Sequence, residues 1–177
     1  MVRPLASRPR AARYSALEIA TAFALIGSLA AIAVPVFLRE VHASRFVEPV
    51  RGLERIGASA VAYARVHPVS LAFPPSAPLT PGVPPRGHCE PYPREAWQTP
   101  AWRALDFQPE PVDAPHCFAF AFDSALSPSK STFRADAHGD LDGDGIFSTF
   151  EVTGHAIEND PAGPALDPGM YVDSEVE

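Results

Sequence analysis

The chain contains, at residues 14–38, the stretch YSALEIATAFALIGSLAAIAVPVFL, in which residues 19–38 are twenty consecutive uncharged positions. At about 1.5 Å of rise per residue, such a run makes a helix about 30 Å long, which matches the hydrocarbon thickness of a bilayer. The stretch therefore predicts a membrane-spanning helix over residues 14–38.

The charges on either side of this helix predict its orientation. The far side carries Arg39 and Arg45 together with Glu40 and Glu48, whereas the near side carries four arginines and no acid. The four are Arg3, Arg8, Arg10 and Arg13. Because the side richer in basic residues stays in the cytoplasm, the 139 residues after Leu38 are expected outside the inner membrane.

The exported part has the size of one domain and an acidic balance. The formal net charge of the chain is −7, and leaving out the four leading arginines, each of which contributes +1, makes it −11. This balance argues against nucleic acid or anionic lipid as a partner of the exported part.

The two cysteines, Cys89 and Cys117, are 28 residues apart. In an oxidising compartment they predict one disulfide, which would stabilise the fold by about 3–4 kcal/mol. The alternative is a zinc site that also uses His88 and His116. Adjacent residues of a strand point to opposite faces, and the spacing is not that of a zinc finger, so the disulfide is favoured.

Proline content divides the exported part. Residues 43–66 contain Pro49 as their one proline and an apolar stripe at helical spacing, which predicts an amphipathic helix over residues 39–67 that continues the first helix. The stripe consists of Phe46, Val47, Val50, Leu53, Gly57, Ala60, Val61 and Ala64. Pro35 and Pro49 are expected to kink the helix, and Pro68 to stop it.

Residues 68–115 contain thirteen prolines, which predict an irregular loop without long helices or central strands. The loop is expected to be held by Trp97, Trp102, Leu105 and Phe107. Residues 116–177 predict a small antiparallel sheet with strands at 116–122, 131–137 and 148–152, and a loosely held acidic tail. Phe118, Phe120 and Phe122 share one face, which is expected to pack on the amphipathic helix. The predicted fold class is α+β.

A calcium-loop pattern lies between two of these strands. Residues 140–151 read DLDGDGIFSTFE, with oxygen-bearing side chains and a glycine at the required positions. The predicted ligands are Asp140, Asp142, Asp144, the Ile146 carbonyl, Ser148 and Glu151. Strand-like flanks indicate a fixed structural ion with a dissociation constant of roughly 0.1–1 mM. The alternative is a solvated Asp/Gly turn. No hydrolase, zinc-protease or phosphate-loop motif is present, so the chain is not expected to be an enzyme.

Several of these features together resemble a known family. Residues 14–18, Tyr-Ser-Ala-Leu-Glu, followed by Gly27, Pro35 and the amphipathic helix, resemble the N-terminus of type IV pilins and pseudopilins over residues 14–66. Residues 102–107 and 139–154 resemble, more loosely, the C-terminal part of certain deltaproteobacterial pilins. The resemblance implies a lollipop in which a long kinked helix is half buried in a small sheet domain.

The resemblance also implies a life cycle. A prepilin peptidase would remove the leader, residues 1–13, before Tyr14, although Arg13 stands where the family has glycine. The assembly machinery of a pilus or a type II secretion system would then move the subunit from the inner membrane into an extracellular helical filament of its own copies. Glu18 would compensate the freed amine of a neighbouring subunit, and Pro35 would loosen the helix.

The N-terminal stretch is also compatible with roles that involve no filament. Ser15 and Glu18 fit a capping box, which needs no assembly role. The sequence Ala-Ile-Ala at residues 31–33 fits cleavage by signal peptidase, which would release a secreted calcium-stabilised binding domain. A third alternative is a permanently anchored protein. The N-terminal residue of the cellular protein distinguishes the three: Tyr14, Val34, or a residue at or near Met1.

Overall fold

The structure, a computed structural model, describes residues 15–173, and of residues 38–45 only the backbone. The leader with Arg13, Tyr14 and the last four residues of the acidic tail lie outside the described residues. The chain divides into two compact units between Val41 and His42. We call the described part of the second unit, residues 42–173, the head.

Helix α1 spans Ala16–Arg45 and contains Pro35. A capping box begins it: the backbone N–H of Glu18 donates to Ser15 Oγ at 3.2 Å, and the backbone N–H of Ser15 donates to Glu18 Oε2 at 2.7 Å. Each bond satisfies a donor that the first helical turn leaves free. The predicted capping box is therefore present.

Part of α1, Ala16–Phe37, has a mean hydropathy of 2.2 and could by length and composition cross a membrane. Its hydroxyl groups are satisfied within the helix. Thr21 Oγ1 donates to the Leu17 carbonyl at 3.0 Å, and Ser28 Oγ donates to the Ala24 carbonyl at 2.8 Å. Such internal bonds remove the cost of placing a hydroxyl in hydrocarbon.

Helix α2 spans Val47–Ala64, after a break at Phe46. Pro49 lies in its first turn, where a backbone N–H has no helical partner and its absence costs little. The helix ends before the predicted residue 67, and the N–H groups of Arg65 and Val66 close its last turn on the carbonyls of Val61 and Tyr63. Most of the predicted stripe is buried or partly buried, but Val47 is 46% exposed.

The head contains an antiparallel sheet of six strands. They are β1 (Ala77–Thr80), β4 (Phe118–Ala125), β5 (Lys130–Gly139), β6 (Ser148–Ile157), β7 (Ala165–Leu166) and β8 (Tyr171–Asp173). Their order in the sheet is β1-β4-β5-β6-β7, with β8 also paired to β6. A separate ribbon pairs β2 (Glu90–Pro91) with β3 (Pro115–His116). The coarse α+β class is therefore confirmed.

Helix α2 packs on this sheet, and Phe120 of the predicted aromatic row contacts it. Phe118, Phe120 and Phe122 are all buried. A Cβ atom added to Gly52 of α2 would overlap the ring of Phe120, so the helix approaches the sheet more closely than a side chain there would permit. At Phe120 the aromatic row therefore meets the helix, as the sequence predicts.

The proline-rich residues 68–115 are more regular than predicted. They contain β1, β2, helix α3 (Pro100–Ala104) and two 3₁₀ helices, Val69–Leu71 and Arg94–Gln98. β1 is an outer strand, the position that tolerates proline best. Trp97, Trp102, Leu105 and Phe107 are buried as predicted, and Trp102 Nε1 donates to Thr80 Oγ1 at 3.0 Å. As predicted, these residues form no long helix and no central strand, but they are not irregular throughout.

Two further strand predictions were too short. β5 and β6 pair over ten residues each, from Lys130 with Ile157 to Gly139 with Ser148. The acidic tail is also not loose up to Asp173, because β7 and β8 both pair with β6.

Candidate metal centre

The acidic loop connects β5 to β6. Asp140, Asp142 and Asp144 each place a carboxylate oxygen within 4.8 Å of the others. Asp140 is buried, whereas the other two aspartates are exposed to solvent. Three anionic groups this close repel one another, so the arrangement could hold a metal ion.

Backbone amides shape the loop around the buried carboxylate. The N–H groups of Gly143 and Gly145 donate to Asp140 Oδ1 and Oδ2 at 2.8 and 3.2 Å. Gly143 and Gly145 have φ values of 86° and 93°, which residues with a side chain rarely adopt. Asp142 and Asp144 accept from the amides two residues further on. The glycines of the motif therefore allow the tight turn that gathers the three carboxylates.

A second segment packs against this loop. The Gly87 N–H donates to the Asp140 carbonyl at 2.8 Å, and Arg86 Nε lies 3.9 Å from Asp140 Oδ2. Within the described residues, Arg86 is the one basic side chain within 4 Å of these three carboxylates. One positive charge faces three negative ones, so the loop keeps an excess of negative charge.

The structure does not bring Glu151 to the three aspartates. Glu151 lies on β6 opposite Asp136, and its Oε2 is 3.9 Å from Arg134 Nε. Ser148 is buried at the start of β6, and the Ile146 side chain is 53% exposed. Of the four predicted acidic ligands, the three aspartates are therefore gathered and Glu151 is not.

Glu151 belongs instead to an ionic group around Arg134 that the sequence did not predict. Arg134 Nη2 lies 3.1 Å from Asp123 Oδ2, and Arg134 Nε lies 3.2 Å from Asp136 Oδ2. Burial raises the pKa of Asp136 to about 6, although Arg134 acts in the opposite direction. One guanidinium is thus shared by three carboxylates on β4, β5 and β6.

The predicted disulfide between Cys89 and Cys117 is present. Both sulfur atoms are bonded, so they offer no thiolate to zinc. His88 Nδ1 lies 2.8 Å from the Arg86 carbonyl, and His116 belongs to a different group. The zinc alternative is therefore wrong.

That different group joins α2 to the end of β3. His116 Nδ1 lies 3.1 Å from Glu48 Oε1, and the Cys117 N–H donates to Glu48 Oε2 at 3.1 Å. The hydroxyl of Tyr92 is buried and has no partner within the described residues. Burial, with smaller contributions from Glu48 and Glu90, raises the pKa of Tyr92. Sequence reasoning missed this group because Glu48 and His116 are 68 residues apart.

The predicted assembly residues Glu18 and Pro35 both lie on α1. Glu18 is engaged in the capping box described above, and Pro35 lies inside the helix.

We found no match to the chain among protein-family models, curated proteins or solved structures.

Proposed function

We propose that the chain is a structural subunit of a type IV pilus or a related pseudopilus. The observation that supports this most directly is that α1 is exposed on all sides from Ala16 to Phe37. Its ten large apolar exposed side chains are Leu17, Ile19, Phe23, Leu25, Ile26, Leu29, Ile32, Val34, Val36 and Phe37. Burying each of these stabilises a protein by roughly 1.5–3 kcal/mol, so the helix needs an apolar environment.

The proposal gives α1 two successive environments. The first is the inner membrane, with the N-terminus cytoplasmic and the head outside. The second is the core of an extracellular filament, where α1 packs on α1 of other copies. Small residues allow helices in such a core to approach closely. They are Ala22, Ala24, Gly27, Ser28, Ala30 and Ala31.

Transfer between these environments requires partners. They are the membrane, other copies of the chain, a prepilin peptidase and the assembly machinery of a pilus or a type II secretion system. The lollipop arrangement and the kink at Pro35 belong to this proposal. The Glu18 carboxylate would compensate the positive charge of the freed amine of Tyr14 in the neighbouring subunit.

Replacing Glu18 with glutamine tests the assembly role. Glutamine keeps the capping contact with Ser15 but removes the charge, so we expect Glu18→Gln to leave the protein level in the membrane unchanged. The amount in filaments sheared from the cells should fall about tenfold or more, as for the loss of one buried ionic contact. Electron microscopy and immunoblots of sheared and membrane fractions measure both quantities.

The matched control is Glu54→Gln, which makes the same change at an exposed position of α2. It should leave the filament yield unaltered. A Glu18→Gln strain with as many filaments as wild type would remove the assembly role and leave capping as the whole function of Glu18.

We further propose that the three aspartates bind calcium and that the ion stabilises the head. Calcium prefers six to eight oxygen ligands, mainly carboxylates and carbonyls, which is the chemistry that this loop offers. The Ile146 carbonyl, Ser148 and water would complete the coordination. Glu151 would join only after leaving Arg134.

Calcium should therefore stabilise the wild-type head. With a dissociation constant of roughly 0.1–1 mM, 10 mM calcium adds about 1.5–3 kcal/mol to the free energy of unfolding. Urea denaturation of the full chain in detergent micelles, with calcium or with chelator, measures the difference. We expect Asp140→Asn to reduce it to near zero, because Asp140 is the buried ligand of the three.

The control Asp106→Asn makes the same change of charge at an exposed residue with a positive φ, which asparagine tolerates. It should keep the full response to calcium. If wild-type protein shows the same unfolding midpoint in 10 mM calcium and in chelator, the calcium proposal is wrong.

A further inference from the structure

We propose that the Cys89–Cys117 disulfide and the aspartate loop are coupled through residues 86–89. Reducing the disulfide then loosens the loop and weakens its binding of a divalent cation. The loosening is inferred from contacts in the head alone, whereas the effect on cation binding rests on the proposed function.

Residues 86 and 87 contact the first residue of the loop in three ways. The Gly87 N–H donates to the Asp140 carbonyl at 2.8 Å, Arg86 forms a parallel β-bridge with Asp140, and the Arg86 guanidinium faces the Asp140 carboxylate at 3.9 Å. The backbones also touch, since a Cβ on Gly143 would lie 3.4 Å from Gly87 Cα. Residues 86–87 therefore form one wall of the loop.

On its C-terminal side, this wall is attached by the disulfide to the residue that precedes β4. Two residues beyond the wall, Cys89 is bonded to the buried Cys117. The next strand pairing along the described chain is the two-residue ribbon of β2 and β3, in which Pro91 opposes Pro115. Neither proline has an N–H to donate, so the ribbon is weak.

The disulfide, the strand pairing and the hydrogen bond to Asp140 together form a closed ring of links. Cys117 precedes Phe118, which is paired with Gly139, and Gly139 precedes Asp140. Asp140 in turn accepts from Gly87, two residues before Cys89. Breaking the disulfide opens this ring and gives residues 86–89 conformational freedom. Ordering these residues against Asp140 then costs conformational entropy.

The coupling is reciprocal. Reduction by dithiothreitol transfers two electrons and two protons to the disulfide, which gives two thiols, while the reagent forms its cyclic disulfide. If reduction weakens calcium binding by some factor, calcium must disfavour reduction by the same factor.

The test compares oxidised and reduced full-length chain in detergent micelles. Mass spectrometry first confirms reduction, and hydrogen exchange is then measured on peptides that cover residues 84–88, 140–147 and 131–137. We expect exchange in the first two peptides to become about tenfold faster, with the third changed by less than about twofold. Calcium titration should show affinity about fivefold or more weaker after reduction, and calcium should shift the dithiothreitol midpoint by the matching factor.

Two variants support the comparison. The double substitution Cys89→Ser with Cys117→Ser reproduces the reduced state without reagent. Ser131→Ala removes a hydroxyl that donates to the Val69 carbonyl at 2.6 Å at the other end of β5, so it destabilises the head without touching the loop. Ser131→Ala should leave calcium affinity unchanged.

Each outcome decides a separate point. Unchanged exchange in peptide 140–147 after reduction overturns the coupling, and so does equal acceleration of all three peptides, which indicates global unfolding. Faster loop exchange with unaltered calcium affinity overturns the effect on the cation. Absence of calcium binding in the oxidised chain overturns the proposed calcium function, while the exchange result still decides whether disulfide and loop are coupled.

Discussion

We expect Phe120→Ala to lower the free energy of unfolding of the head by about 3–5 kcal/mol, because the substitution removes a fully buried ring and leaves a cavity. The Phe120 ring is 1% exposed and lies 5.2 Å from the ring of Phe107 and 6.3 Å from that of Trp97. It also lies against Gly52 of α2. Since the free energy of unfolding of a domain is only about 5–15 kcal/mol, the substitution would remove a large part of the stability of the head.

Urea denaturation of the full chain in micelles measures this loss through tryptophan fluorescence, because both tryptophans of the chain, Trp97 and Trp102, lie in the buried core. The control Phe23→Ala makes the same chemical change on α1, where the ring is 72% exposed, and should leave the unfolding of the head unchanged. A loss below about 1 kcal/mol for Phe120→Ala would contradict the packing described for α2 and the sheet.

Apart from the disulfide, which joins the two cysteines of the chain, the features that the sequence predicted correctly depend on residues close together in the chain. The capping box needs only Ser15 and Glu18, and the aromatic face needs only alternation over residues 118–122. The three aspartates lie within five residues, so the turn that gathers them is also a local property.

Strand lengths were underestimated because a local rule was overridden by contacts across the sheet. Glycine weakens a strand, which favours ending β5 and β6 early. In the structure, the ring of Phe118 covers Gly139 on the neighbouring strand, and the ring of Phe133 covers Gly154. The absence of a side chain at each glycine makes room for a ring, and the strands continue.

The unpredicted parts of the site depend on partners far apart in the chain. Whether Glu151 reaches the aspartate loop or Arg134 is decided by the register of β6 on β5, which places Glu151 opposite Asp136. The contact of Glu48 with His116 likewise needs α2 to lie beside β3, which is 68 residues further along the chain. A calcium-loop pattern fixes the spacing of the ligands along the chain. It does not reveal that the Arg134 side chain lies close to Glu151, the twelfth residue of the pattern.

Asp136, which shares the Arg134 guanidinium, is expected to make the stability of the head depend on pH. Its raised pKa of about 6 means that the folded head holds a proton that the unfolded chain releases near its ordinary value of 3.8. Stability from this group is therefore full below about pH 4 and is lost as the pH rises through 6, by about 2–3 kcal/mol in total. We expect Asp136→Asn, which does not titrate, to lack this loss.

Urea denaturation at intervals from pH 4 to pH 7, in chelator, tests the prediction through the difference between wild type and Asp136→Asn. That difference should move in favour of the variant by about 2–3 kcal/mol as the pH rises. Asp167→Asn is the control of opposite sign, because a hydrogen bond from Thr153, together with His155, lowers the pKa of Asp167. Its penalty should stay nearly constant from pH 7 to about pH 5 and begin to shrink only as the pH approaches the ordinary value of 3.8. A constant difference between wild type and Asp136→Asn would show that Arg134 compensates the buried charge completely.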